Sequence, residues 1–412
     1  MVFLLLAPLA CGGLALINTG LGRSRNAAHS ILGALCVVSV ASCVYLLIGR
    51  GFMGSAGEAA HVMQLGNLRW DWLGAAPPFF AGLTSGDSYP FLVAWMGMVS
   101  VSLAGLIPLG SGTERWRLIS ICASTAVLAG VTFPVFAHWT WSGGWLASQN
   151  FVDIGGTGGI HVIGGLTALA VTWLLGPRRG KFGHDGMPMA FPGHNVVFTL
   201  FGCLLSLVGW TALNASGAIL FAGIAIAKIP LIAVNTLLGA SSAALIAALV
   251  TKIRYTRPDA SLTANGWVGG LVATASASAF IPPAAALIIG LIAGALVTFG
   301  VELLEMRLDV DDPGGSISVH AIAGIWGLLA VGLFGRLPGP ALAADQTMAQ
   351  LTGIATLLGF VFPLSFALNL LLNRFVPMRV SRDGERQGMD LYELGAGAYP
   401  DFITHAEDFM QR

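Results

Sequence analysis

Eleven stretches of this chain are apolar over about the length of a membrane-crossing helix, and that count constrains the fold more than any other feature. A hydrocarbon core about 30 Å thick takes about 20 residues of helix. Runs that meet this fall at 2–20, 28–49, 89–109, 117–137, 154–176, 194–216, 229–251, 264–281, 283–304, 316–336 and 350–373. The eighth is the shortest, and Pro282-Pro283 separates it from the ninth. Lipid offers no hydrogen bonds to the backbone, so apolar runs of this length become helices that satisfy their own. The expected fold is an all-α membrane protein of eleven transmembrane helices whose ends lie on opposite sides. Composition excludes a soluble globule: 55% of the 412 residues are hydrophobic and only 10% are charged, against about a quarter in soluble chains. The 55 glycines run through the apolar stretches, where small residues let helices approach closely.

Charge sets the orientation. Acidic and basic residues cancel at 20 each, which gives no reason to expect nucleic acid as a partner. Sixteen of the basic residues fall on one side: Arg23, Arg25, Arg115, Arg117, Arg178, Arg179, Lys181, Lys252, Arg254, Arg257, Arg307 and the five that follow the last span. Four fall on the other, Arg50, Arg69, Lys228 and Arg336. By the positive-inside rule the N-terminus is outside and the C-terminus cytoplasmic, in the cell (inner or plasma) membrane. The first run lacks the basic residues that open a signal peptide, so it is read as a retained span. Segment 50–88, with Trp70, Trp72 and Pro77-Pro78, is expected to form an ordered outer cap. Residues 1–378 make up the membrane domain and 379–412 a cytoplasmic tail, with eleven charged residues in 34. Cys11, Cys36, Cys43, Cys122 and Cys203 lie in apolar runs without paired spacing and read as core residues. His184, Asp185 and His194 fit no standard metal spacing and are assigned to a loop and a helix cap.

Two segments of the chain match each other. Gly155-Gly156-Thr157-Gly158-Gly159-Ile160-His161-Val162-Ile163-Gly164-Gly165 aligns with Gly314-Gly315-Ser316-Ile317-Ser318-Val319-His320-Ala321-Ile322-Ala323-Gly324. Asn18 and Asn214 give a weaker echo in the first and sixth spans. Spans 1–5 therefore repeat as spans 6–10. An odd number of spans per repeat inverts the second copy, and such folds place their site near mid-membrane between the halves. His161 and His320 enter that site from equivalent helices. Buried histidines merely satisfied by neighbours are the structural alternative, but ionisable groups inside a span by default mark a pathway. A neutral imidazole has one donor and one acceptor nitrogen, so a facing pair suits a small hydrogen-bonding solute in single file. Bis-histidine haem ligation is the competing chemistry, without a second histidine pair or other haem signature to support it.

These residues resemble the Amt branch of the ammonium transporter/Rh superfamily over nearly the whole chain. The resemblance rests on Gly13-Leu14-Ala15-Leu16-Ile17-Asn18-Thr19-Gly20 with Arg23-Ser24-Arg25-Asn26, on Asp153-Ile154-Gly155-Gly156 leading to His161, and on Pro192-Gly193-His194-Asn195. Gly209-Trp210-Thr211-Ala212-Leu213-Asn214-Ala215, and Val310-Asp311-Asp312-Pro313 leading to His320, complete it. It implies a homotrimer with a pore in each subunit, a twin-histidine pair at His161 and His320 with Trp210 among the pore residues, and no enzymatic activity or cofactor. It implies that ammonium rests on the indole of Trp141, where a desolvating cation gains roughly 2 kcal/mol. It also implies a buried carboxylate, Asp153, expected to hold the amides of the glycine-rich turn and to bias the mouth towards cations.

Several positions depart from the family pattern. Leu213 stands where a gate phenylalanine is usual, and Gly217 where a serine hydroxyl serves the outer site, so that site is expected to be weaker than usual. The second gate ring falls within Trp95–Ser100, with Trp95 as the candidate. Gly315 stands where an Asp is usual. The tail Gly388-Met389-Asp390-Leu391-Tyr392-Glu393 resembles the family's cytoplasmic signature without its His-Gly-Glu core. A PII-family regulator is expected on that face, at loop 178–193 and the tail. The implied activity is ammonium/ammonia transport. An Amt-like sensor that binds without conducting, and an Rh-like electroneutral channel, are the other readings.

Overall fold

The computed structural model describes residues 2–66, 68–81, 84, 86–337 and 343–399. Ten of its helices are long and apolar enough to cross a membrane. Spans 1 to 7 are Phe3–Leu21, Ser24–Met53, Ser88–Gly112, Leu118–Ser148, Thr157–Leu175, Val196–Ala222 and Ile226–Tyr255; spans 9 to 11 are Pro283–Leu308, Ile317–Phe334 and Asp345–Phe375. Between them lies span 8, the 16-residue helix Ala260–Ala275, which completes the expected eleven. The expected run to residue 281 is corrected here, because the helix stops at Ala275. Ser276 gives its backbone N–H to Thr157 Oγ1 (3.0 Å) and its hydroxyl to the Asp153 carboxylate. A helix that hands its last bonds to a neighbouring span cannot continue its own ladder.

The outer segment is not helical throughout. It forms an antiparallel hairpin of β1 (Ala60–Leu65) and β2 (Leu68–Gly74), with Met63 opposite Trp70. The hairpin sits on span 4. His138 Nε2 meets Asp71 Oδ1 at 2.8 Å, and Trp139 donates to the Trp72 carbonyl at 2.8 Å.

Spans 1 and 6, equivalent in the repeat, pack backbone to backbone. A Cβ on Gly13 would stand 2.7 Å from the Gly202 carbonyl oxygen, and one on Gly202 would stand 2.6 Å from that of Gly13. Any larger residue at either position would separate the helices.

At the other end of the bundle, charged groups are buried together. Arg178 bridges Asp311 and Glu114, each at 2.9 Å, Arg115 donates to the Asp311 carbonyl at 2.8 Å, and Arg23 pairs with Glu114. Burial works against ionising Asp311, but Arg115 and Arg178 outweigh it and hold the carboxyl at about 2. The chain after Arg379 folds back onto this face. Asp390 accepts from the Ala28 and His29 amides at the start of span 2, Glu393 meets His29 Nε2 at 2.9 Å, and Glu385 accepts from the Arg179 amide at 2.6 Å. Residues 400–412, including Arg412, lie outside the described residues. His194 is not the cap of span 6. Asn195 is, accepting from the Phe198 amide at 3.0 Å, while His194 joins the Gly22 carbonyl to Tyr399.

Candidate pore and outer site

Spans 5 and 10 begin in the same way. Gly156 and Gly315 take left-handed conformations, φ +76° and +65°, which a Cβ would strain. Each is followed by a widened turn, Thr157–Val162 and Ile317–Ile322, that carries the histidine. Turns of this i→i+5 type are short, rare and frequent at functional positions. The first amides of each helix, which have no partner within it, go to a carboxylate eight residues before the histidine. Asp153 accepts from Gly158 (3.0 Å) and Gly159 (2.7 Å); Asp312 accepts from Ser316 (3.1 Å) and Ile317 (2.7 Å). Each carboxylate also takes a hydroxyl from the other half, Ser276 at 2.5 Å and Ser111 at 2.7 Å. Burial pushes both carboxyls up, Asp312 to about 6, against the opposing pull of these donors. Asp312 extends the repeat upstream, a signal present in the matched spacing that sequence reasoning missed.

The glycine four residues after each histidine explains how the imidazoles meet. A Cβ on Gly165 would stand 2.9 Å from the Cβ of Ala321, and one on Gly324 would stand 2.6 Å from Val162 Cγ2. Each helix therefore lays its glycine against the residue that follows the other's histidine. At this crossing the His161 and His320 rings lie 5.3 Å apart between centroids, inclined 27°. Trp210 also stacks on His161, at 5.1 Å and 6°. Both histidines are buried, and both nitrogens of His161 and Nδ1 of His320 have no hydrogen-bond partner among the described residues. Leaving such groups unpaired in a low-dielectric interior costs free energy. The arrangement leaves these ring nitrogens able to donate to or accept from a small polar solute.

The outer residues form a second group. Trp141 donates its indole N–H to the Asp153 carbonyl at 2.6 Å, so the two are brought together. A cavity of about 320 Å³ opens beside them, lined by Asp153, Phe221, Phe280 and Gln346 among others. Phe221 lies flat on Trp141, centroids 4.6 Å apart and 4° between planes. Leu213 is fully buried. Gly217 packs directly beneath the Ile154 carbonyl oxygen, where a Cβ has no room. Trp95 is not in the gate. Its ring is 39% exposed and its N–H reaches the Leu4 carbonyl at 2.9 Å, on the outer flank of spans 1 and 3. Its neighbour Met96 turns inward instead, 3.6 Å from where a Gly217 Cβ would stand.

Span 11, which belongs to neither repeat, holds the outer loop. The Gln350 amide accepts from the Val152 N–H (2.9 Å), donates to the Val152 carbonyl (3.0 Å) and donates to Leu328 of span 10 (3.2 Å). Phe221, Met96 and Gln350 were not singled out from the sequence.

A family model described as the Ammonium Transporter Family matches residues 1–399. Ammonium transporter Amt2 of Archaeoglobus fulgidus is 33% identical over 95% of this chain and 85% of its own length. The ammonium transporter of Bacillus subtilis is 29% identical over 96% of each chain. A solved structure described as a sensor Amt protein superposes with a TM-score of 0.86 at 28% identity, covering 95% of this chain and 96% of that one. Candida albicans Mep2 shares the fold, with a TM-score of 0.80 at 22% identity over 93% of this chain and 85% of its own.

Proposed function

The chain belongs to the ammonium transporter family, and on that premise we propose that it carries ammonium across a cell membrane by passing ammonia between His161 and His320. The observation that carries this reading is the buried imidazole pair at the crossing of the two halves, with ring nitrogens unspent on the protein. Ammonium is collected at Trp141 and loses a proton on entry. Ammonia then exchanges hydrogen bonds with one imidazole and the next. Potassium has no proton to lose, and a dry passage does not replace its hydration shell. Asp153 shapes the mouth by holding the Gly158 and Gly159 amides.

The N-terminus is outside and the charge-rich face with the docked tail cytoplasmic, a placement supported by the distribution of basic residues. The subunit assembles as a homotrimer with a pore in each copy, and a PII-family regulator docks at loop 178–193 and the tail. The tail's contact with that region through Arg179 and Glu385 supports the second placement.

A sensor that binds ammonium without conducting it is the second reading, favoured by the likeness to the sensor Amt structure. Proteoliposomes separate the two. Transport predicts an ammonium-driven change of luminal pH or current on a supported membrane. Ammonium binding without either establishes the sensor. A pH change without current establishes electroneutral ammonia conduction.

A further inference from the structure

We propose that Phe221 is the movable cover of the outer site, competing with ammonium for the face of Trp141. The proposal rests on the reading of Trp141 as the ammonium-collecting indole. Phe221 covers one face of that indole in a parallel stack, Phe133 approaches it edge-on at 5.9 Å, and the N–H is spent on the Asp153 carbonyl. Trp141 is consequently only 5% exposed. A cation binds an aromatic ring over its face, and centroids 4.6 Å apart leave no gap for one between the rings. One ring must leave before a cation arrives.

The geometry selects Phe221 as the ring that moves. Trp141 is fixed by its hydrogen bond and its burial. Phe133 is fully buried. Phe221 is half-buried, one residue before the end of span 6, where Gly223 turns left-handed at φ +59°. It also borders the outer cavity, which gives the ring space to swing into. Leu213, Gly217 and Phe221 follow at i, i+4 and i+8 along one ridge of span 6. Leucine and glycine at the deeper positions leave the aromatic closure two helical turns further out. There it acts on recruitment to the site instead of on passage beyond it.

The test is ammonium binding to the purified full-length protein by calorimetry, beside half-saturation of uptake in proteoliposomes. Removing the cover removes the stack that ammonium must displace. Phe221→Ala is expected to tighten binding about threefold to tenfold, the equilibrium equivalent of one aromatic pair. Phe221→Leu keeps most of the volume but loses the flat face, and it should move in the same direction. Adding Trp141→Ala should abolish the gain. If Trp141→Ala weakens binding while both Phe221 variants match the parent or bind more weakly, the cover is wrong and the collecting site stands. If Trp141→Ala alone leaves binding unchanged, the collecting site is wrong and the cover falls with it.

Discussion

At the scale of the residue, Gly217 shows why a position read against a family pattern needs its neighbours. Serine there would supply a hydroxyl to the outer site, but the Ile154 carbonyl occupies the space for its Cβ. Gly217→Ser should therefore push the loop that carries Asp153 outward. Overpacking of this kind costs about 1–3 kcal/mol. The expected result is a lower melting temperature and a higher half-saturating ammonium concentration; unchanged stability with tighter binding would show that the loop yields freely. The histidines were legible because two matched segments of sequence pointed at them. Phe221 was not, since it is one of 22 phenylalanines and its partner lies in another span. Trp95 and Met96 are adjacent, so assigning the inward side chain required the helix's rotation, which the pattern of span 3 does not define. That span is apolar on every face.

At the scale of the element, the eleven helices were legible from hydropathy, but their ends were not. Span 8 stops six residues early through bonds to Thr157 and Asp153, which no local composition records. The two widened turns are equally silent in sequence, although the glycines that permit them are visible in the repeat. The crossing of spans 5 and 10 gives a sharp expectation. At Gly165 a Cβ would run into the Ala321 backbone, so Gly165→Leu should separate the imidazoles and abolish uptake, with impaired assembly visible by size-exclusion chromatography. A normal rate would show that the crossing tolerates separation. Span 11 carries a different role, pinning the outer loop through Gln350. Gln350→Met keeps the length of the side chain but strands the Val152 N–H and carbonyl. A fully buried group left unpaired costs about 1–3 kcal/mol, and these two, on the partly buried Val152, cost less than that. Reduced melting temperature and weaker ammonium binding are expected, and a variant as stable as the parent would remove span 11 from the account.

At the scale of the whole molecule, inversion was legible because five spans per repeat is an odd number, and the equivalent environments of Asp153 and Asp312 express it. The docked tail was less legible. Asp390, Glu393 and Glu385 read only as charged residues of a cytoplasmic tail until their partners, at the start of span 2 and in the loop after span 5, are known. The ion cluster beneath it makes stability depend on pH in a definite direction. Asp311 is held at about 2, below its ordinary 3.8, so the unfolded chain takes up the proton first as acid is added. Its contribution, roughly 2 kcal/mol, is present above pH 4 and is lost as pH falls towards 2. Melting temperatures of the parent should drop over that interval more steeply than those of Asp311→Asn; parallel curves would exclude this origin. The measurement that bears most directly on the central claim is ammonium uptake into proteoliposomes by His161→Ala and His320→Ala, with potassium uptake and oligomeric state recorded beside it. Each variant should remain folded and lose most of its ammonium flux, at least about tenfold for a lost hydrogen-bonding station. Parental flux in both folded variants would contradict passage between the two imidazoles.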